Sequence, residues 1–133
     1  MEDRKMPALN RVQLIGRLGN KPTAHYTPGG KKVTSFTLAV GQRWRDKNGE
    51  TRETTDWFNI EVWGKLGDIC EQYLSKGRLV YIEGKLRTHR FEQNGVTRYV
   101  TRVIAKQMQI LDRKRKEEEP VIEEEEEVSA DTE

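Results

Sequence analysis

Apolar and polar residues alternate with period two over most of the chain, and that alternation restricts its fold more than any other feature. In Leu9 to Gly19, Val12, Leu14 and Leu18 share one parity while Arg11, Gln13 and Arg17 take the other. Successive side chains of a strand point to opposite faces, so the pattern predicts strands with one buried face. Val33 to Trp44 repeats it, with Phe36, Leu38 and Val40 inward. Thr54 to Trp63 places Phe58, Ile60 and Val62 inward and Trp57, Asn59, Glu61 and Trp63 outward. Arg78 to Phe91 turns Val80, Ile82 and Leu86 inward, and Tyr81, Glu83, Lys85, Arg87, His89 and Phe91 outward. Thr97 to Leu111 alternates poorly because Val103, Ile104 and Ala105 run together, which predicts a bulge or burial on both faces. Tyr26-Thr27-Pro28-Gly29-Gly30 is turn chemistry, and Asn48-Gly49 and Asn94-Gly95 mark two hairpins.

One segment breaks the alternation. Leu66, Ile69, Cys70, Tyr73 and Leu74 recur at helical spacing and form one apolar stripe, with Gly77 as the expected cap beyond its end. The order is therefore β-β-β-α-β-β. An all-β OB-fold, a five-stranded Greek-key barrel with one helix between the third and fourth strands, has this connectivity.

Charge divides the chain in two. The totals are 24 basic and 22 acidic residues, but Glu117 to Glu133 contains ten acids and no Lys or Arg. The first 116 residues therefore carry 24 basic and 12 acidic groups, a net charge of +12. Residues 1–112 are expected to form the domain and 113–133 a disordered acidic tail, since like charges and low hydropathy give such a segment nothing to bury. A basic domain points to a polyanionic partner. No apolar run approaches the ~18 residues that span a bilayer, and no secretory signal follows the charged N-terminus. A cytoplasmic protein without membrane contact is expected.

Catalysis finds little support. His25 and His89 are the only histidines and have no metal-ligand spacing; a single cysteine, Cys70, lies on the helix stripe and reads as a buried thiol. Pro28-Gly29-Gly30-Lys31-Lys32 lacks the phosphate-loop spacing. No catalytic residue, metal or cofactor is expected. The informative residues are the aromatics of outward parity. Trp57 and Trp63 face away from the barrel interior, Trp63 is followed by Lys65, and Phe91 shares parity with Lys85 and Arg87 and follows Arg90. Trp44 is flanked by Arg43 and Arg45. Rings interleaved with cations suit unpaired nucleic acid, where bases stack and Lys and Arg follow phosphates. A duplex offers no open base faces to such rings. The residues alone leave open an RNA-binding OB-fold and a protein-interaction module that buries its tryptophans against another chain.

At these residues the chain resembles the bacterial-type single-stranded DNA-binding proteins. The resemblance covers about residues 8–112 and runs through Leu9-Asn10-Arg11-Val12-Gln13-Leu14-Ile15-Gly16-Arg17-Leu18-Gly19, then Asp56-Trp57-Phe58-Asn59-Ile60-Glu61-Val62-Trp63-Gly64-Lys65-Leu66. Tyr73-Leu74-Ser75-Lys76-Gly77 and Val80-Tyr81-Ile82-Glu83-Gly84-Lys85-Leu86-Arg87-Thr88 complete it. It implies an OB-fold homotetramer with single-stranded DNA wrapped outside, acting in replication, recombination and repair near the nucleoid. Its stacking positions correspond to Trp44, Trp57, Trp63 and Phe91, with Trp63 in place of the family's usual Phe. Its phosphate positions correspond to Arg11, Lys65, Lys76, Arg87, Arg90 and Arg98. Subunits of the family pair through their first strands, here around Leu9 to Leu18. The tail departs from the family pattern: it ends Ser129-Ala130-Asp131-Thr132-Glu133 without the usual Pro-Phe tip. That leaves recruitment of replication and repair proteins through the tip open.

Overall fold

The structure, a computed structural model, describes residues 7–113. The acidic segment lies outside the described residues apart from its first position, Arg113. The elements are β1 (Val12–Leu18), β2 (Thr23–Tyr26), β3 (Lys32–Arg45), β4 (Thr51–Trp63), α1 (Gly64–Tyr73), β5 (Leu79–Gln93) and β6 (Val96–Ile110). Strands β1, β5, β6, β4 and β3 follow one another around the sheet, and β1 closes it by pairing with β3 as well as β5. Arg17 and Leu18 meet Ala39 and Leu38, while Val12 to Arg17 runs antiparallel to Gly84 to Leu79. The β4–β6 pair is parallel, at Ile60↔Val103 and Glu61↔Ile104. This is the expected five-strand OB barrel with its helix before β5. The added element is β2, a four-residue edge strand on β3 whose last residue, Tyr26, opens the turn read from the sequence.

The interior is built by the predicted parity. Leu18, Phe36, Leu38, Ile60, Val62, Val80, Ile82 and Val103 are buried together, with Val12, Leu14, Val40 and Phe58 packed around them. The expected bulge lies where β5 crosses β6: Glu83 faces Gln107 but Gly84 faces Ala105, so Lys106 is the extra residue. Beyond it β5 and β6 continue as a hairpin that outruns the barrel. This corrects the placement of Leu86, which has inward parity but is 43% exposed because no opposite wall remains to cover it. The Asn10 side chain extends the sheet there, donating to the Leu86 carbonyl (2.8 Å) and accepting from its N–H (2.9 Å).

Both Asn-Gly turns form. Asn94 and Gly95 both take positive φ, 52° and 76°, as a two-residue hairpin requires. At the other, the Asp46 carboxylate accepts from the N–H groups of Asn48 and Glu50 and from Arg52, which holds its carboxyl below the ordinary range.

The helix buries a narrower stripe than its spacing predicts. Cys70 and Leu74 are in the core and Leu66 packs against it, but Ile69 and Tyr73 are exposed. Gly67 explains this: a Cβ there would come within 2.7 Å of the Val62 carbonyl and 2.8 Å of the Thr34 hydroxyl. The helix backbone therefore sits directly on β3 and β4, and its flanks cannot reach the interior. It also ends before Gly77, at Tyr73, where the Leu74 N–H bonds the Cys70 carbonyl; Gly77 instead serves the turn into β5 and donates to the Leu18 carbonyl. Burial pushes the Cys70 thiol up to about 11. No helix among the described residues is long and apolar enough to cross a membrane.

Candidate nucleic-acid interface

Because Phe58, Ile60 and Val62 face the core, β4 must present Trp57, Asn59, Glu61 and Trp63 on the barrel's outside. Trp57 is 61% and Trp63 39% exposed, so neither is a core residue of the monomer. Trp57 lies opposite Ala39, which in turn meets Arg17. Its indole rests on the Gly19 backbone, where any Cβ would overlap the ring. Beside it Thr37 is pinned by Asn20, whose side-chain oxygen accepts from the Thr37 N–H (2.8 Å) and hydroxyl (2.7 Å). Trp57 is thus an aromatic platform seated on ordered backbone. Trp63 closes β4, and Lys65 follows in the first turn of α1.

The outer face of β4 also borders a concavity of about 310 Å³, lined by Thr23, His25, Ser35, Asn59, Glu61 and Arg102 among others. Parity turns Glu61 outward with the two indoles. It does face out of the barrel, but it is only 6% exposed because Arg102 reaches over from β6 and donates to its Oε2 at 2.7 Å. Glu61 Oε1 has no hydrogen-bond partner among the described residues.

That contact shows that the matching face of the β5–β6 hairpin continues the outer face of β4. On this face Arg87 pairs with Arg102, His89 with Val100 and Phe91 with Arg98, and Lys85 lies opposite Ile104. Phe91 is 44% exposed. The arrangement joins Trp57, Trp63, Phe91, Lys85, Arg87 and Arg98 on one side of the molecule, with Lys65 next to Trp63.

Other predicted residues stand apart. Trp44 is exposed but lies opposite Arg52 with the parity of Val40, on the reverse face of the β3–β4 hairpin from Trp57. Arg43 and Arg45 have the parity of Trp57, and Arg43 is paired with Glu53 at 2.9 Å. Arg90 lies opposite Tyr99 on the reverse face from Phe91. Lys76 is exposed in the turn after α1. Arg11 sits at the start of β1, bonded to Glu83 at 2.8 Å. The Tyr81 hydroxyl donates to the same carboxylate at 2.6 Å, and the two contacts hold the Glu83 carboxyl below its ordinary range, Tyr81 contributing most.

Two residues escaped the sequence reading. Tyr99 is an exposed aromatic opposite Arg90, on the reverse face from Phe91 and Arg98, and the parity it shares with Thr97 and Thr101 was the available signal. Arg102 gave no signal, since its partner is 41 residues away in sequence. Among the described residues no group of three or more His, Cys, Asp or Glu could hold a metal ion.

Comparison with known proteins places these features in a lineage. The model of the single-strand binding protein family matches residues 9–111. The single-stranded DNA-binding protein 1 of Chlorobaculum tepidum is 48% identical over 105 residues, covering 77% of this chain and 65% of that protein. The single-stranded DNA-binding protein of Xylella fastidiosa is 45% identical over 104 residues, covering 77% of this chain and 63% of that protein. The chain thus spans less than two thirds of the length of these curated relatives. Among solved structures, a Plasmodium falciparum SSB in complex with ssDNA superposes with a TM-score of 0.73 at 35% identity, covering 82% of this chain and 100% of that one. A deletion mutant of the single-stranded DNA binding protein from Thermus aquaticus gives 0.69 at 31% identity, covering 78% and 51%. With the barrel, the outward aromatics and a family match over residues 9–111 in agreement, the chain belongs to the single-strand binding protein family.

Proposed function

We propose that the chain binds single-stranded DNA with little dependence on sequence and shields it during replication, recombination and repair. The observation that carries this reading is the exposed row of Trp57, Trp63 and Phe91 among Lys65, Lys85, Arg87 and Arg98 on one side of the barrel. Every base has a π-face, so such rings accept any base while the cations follow the backbone. Arg43 and Arg45 extend the path along the β3–β4 hairpin, and Trp44 offers a stacking face on the reverse of that hairpin, as Arg90 offers a cation on the reverse of the other. Arg11 and Lys76 contribute at its margins. The names of the relatives and the nucleic acid in the Plasmodium falciparum complex support the same partner. It is a binding function and not a catalytic one, exercised in the cytoplasm at the nucleoid.

The working form in this reading is a homotetramer whose subunits meet through β1. Ile15, 54% exposed in the middle of that strand's outer face, supports an interface there. The acidic segment from Glu117, ten acids beside a domain of +12, competes with DNA for the cationic face. Its removal raises affinity most at low salt, where screening is weakest.

The test is a titration of the intrinsic fluorescence of the three tryptophans with oligo-dT, oligo-U and duplex DNA at two salt concentrations. Strong quenching by oligo-dT is expected, with an affinity that falls by ~0.7 log units per neutralised phosphate per log unit of salt. Equal quenching by oligo-U would reassign the partner to RNA. No response to any nucleic acid would overturn the reading.

A further inference from the structure

We infer that Asn10 and the Glu61–Arg102 pair are positioning residues that set the pitch of the β5–β6 hairpin against β4, on the premise that the chain binds single-stranded DNA across both. The last backbone pairing of β1 with β5 is Val12↔Gly84, and that of β4 with β6 toward the hairpin is Ile60↔Val103. Beyond these points β5 and β6 pair with each other as far as Gln93↔Val96. An isolated hairpin is marginally stable, and two-stranded ribbons twist more than wider sheets. The exposure of Leu86 shows that no opposite wall supports this one from within.

Among the described residues, two side-chain contacts tie the hairpin to the barrel beyond that ladder, at one level but in different directions. Asn10 acts in the plane of the sheet, on the open edge of β5. Its amide donates to the Leu86 carbonyl and its oxygen accepts from the Leu86 N–H. Arg102, next to the Leu86↔Val103 pair, stands off the outer face and donates to Glu61 Oε2. The first contact resists splaying of the edge, and the second resists tilting toward or away from β4. The second is unfavourable to assemble, since Glu61 is buried and its Oε1 has no donor among the described residues. Desolvation offsets much of the attraction in a buried pair, so what this pair contributes is direction more than stability.

Small changes at this level become large at the DNA face. Phe91 lies five residues beyond Leu86, about 17 Å at ~3.3 Å per residue. A swing of about 10° at the base moves the ring by about 3 Å, whereas a binding group needs holding to roughly 0.5 Å. The hairpin carries Phe91, Arg87 and Arg98, and β4 carries Trp57 and Trp63. One strand of DNA meets both sets only while the pitch is kept.

The experiment measures what Phe91 contributes to oligo-dT affinity when each contact is removed. Binding is read from intrinsic fluorescence, and every variant keeps the three tryptophans. In the wild type, Phe91→Ala weakens binding about tenfold, within the range of one stacked base. In Asn10→Ala, and separately in Glu61→Leu, adding Phe91→Ala weakens it about threefold or less, because the ring is already out of place. This coupling separates positioning from other effects. The charge change in Glu61→Leu alters affinity with or without the ring, and a general loss of stability lowers the melting temperature without reducing the Phe91 effect. Asn10 is exposed and uncharged, so Asn10→Ala decides the matter should Glu61→Leu fold poorly. An undiminished Phe91 effect in these variants overturns the positioning role while leaving single-strand binding in place. Failure of the wild type to bind oligo-dT removes the premise as well.

Discussion

Two outer faces of this barrel follow the same alternation and carry opposite chemistry. On the face of β1 and β5, the polar groups satisfy one another: Arg11 holds Glu83, the Tyr81 hydroxyl holds the same carboxylate, and Gln13 donates to Tyr81 at 3.0 Å. Arg17 bonds the Gly77 carbonyl and meets Asp112. On the face of β4, two indoles flank a carboxylate with one oxygen engaged and one without a donor among the described residues. A face whose donors and acceptors are already matched gains little from a ligand. One that exposes aromatic area has free energy to gain. Parity decides which residues face outward, and cross-strand partners decide whether they remain available.

The contrast breaks first at Trp57. Trp57→Ala is expected to weaken oligo-dT binding by about 1–3 kcal/mol, a range characteristic of single-strand-binding OB-folds in general, while the melting temperature stays near that of the wild type. A large loss of melting temperature would show the ring to be structural. Gly19→Ala comes next, because a methyl there displaces the indole from its seat. Its binding loss should lie below that of Trp57→Ala, and the double variant should bind no more weakly than Trp57→Ala alone, as a double-mutant cycle reports.

Substitutions on the matched face have smaller effects. Arg11→Ala should lower oligo-dT affinity less than Arg87→Ala, since Arg11 is held by Glu83 whereas Arg87 has no ion pair among the described residues. An equal loss, read from the two salt slopes, would place both faces on the DNA path. The smallest effect is acid sensitivity at Glu83. Its carboxyl titrates lower when folded, so its contribution is present above the unfolded value of about 4.5 and disappears as pH falls through the lowered folded value. Melting between pH 6 and pH 3 should therefore decline more steeply in the wild type than in Glu83→Gln. Identical profiles would mean that the Tyr81 and Arg11 contacts do not persist in solution.

Strand order, both Asn-Gly turns, the bulge region and the outward direction of Trp57, Trp63 and Phe91 were legible in the sequence, because period-two alternation and turn residues act through neighbours along the chain. Leu86 was misplaced because parity carries no information on where the opposite wall of a barrel stops. Ile69 and Tyr73 were misplaced because helical spacing does not register how closely Gly67 brings the helix to β3 and β4. Trp44 and Arg90 adjoin other site residues in sequence yet lie on the reverse faces of their hairpins, since neighbouring strand residues point opposite ways.

By itself the sequence determined a basic β-barrel with aromatic rings turned outward, since each of those properties is set by composition or by residues a few positions apart. Only the tertiary structure decided that Glu61 is buried beneath Arg102, that Trp57 rests on Gly19 and that Arg11 is held by Glu83. Those contacts join strands far apart in the chain, and their geometry exists only once the barrel has closed.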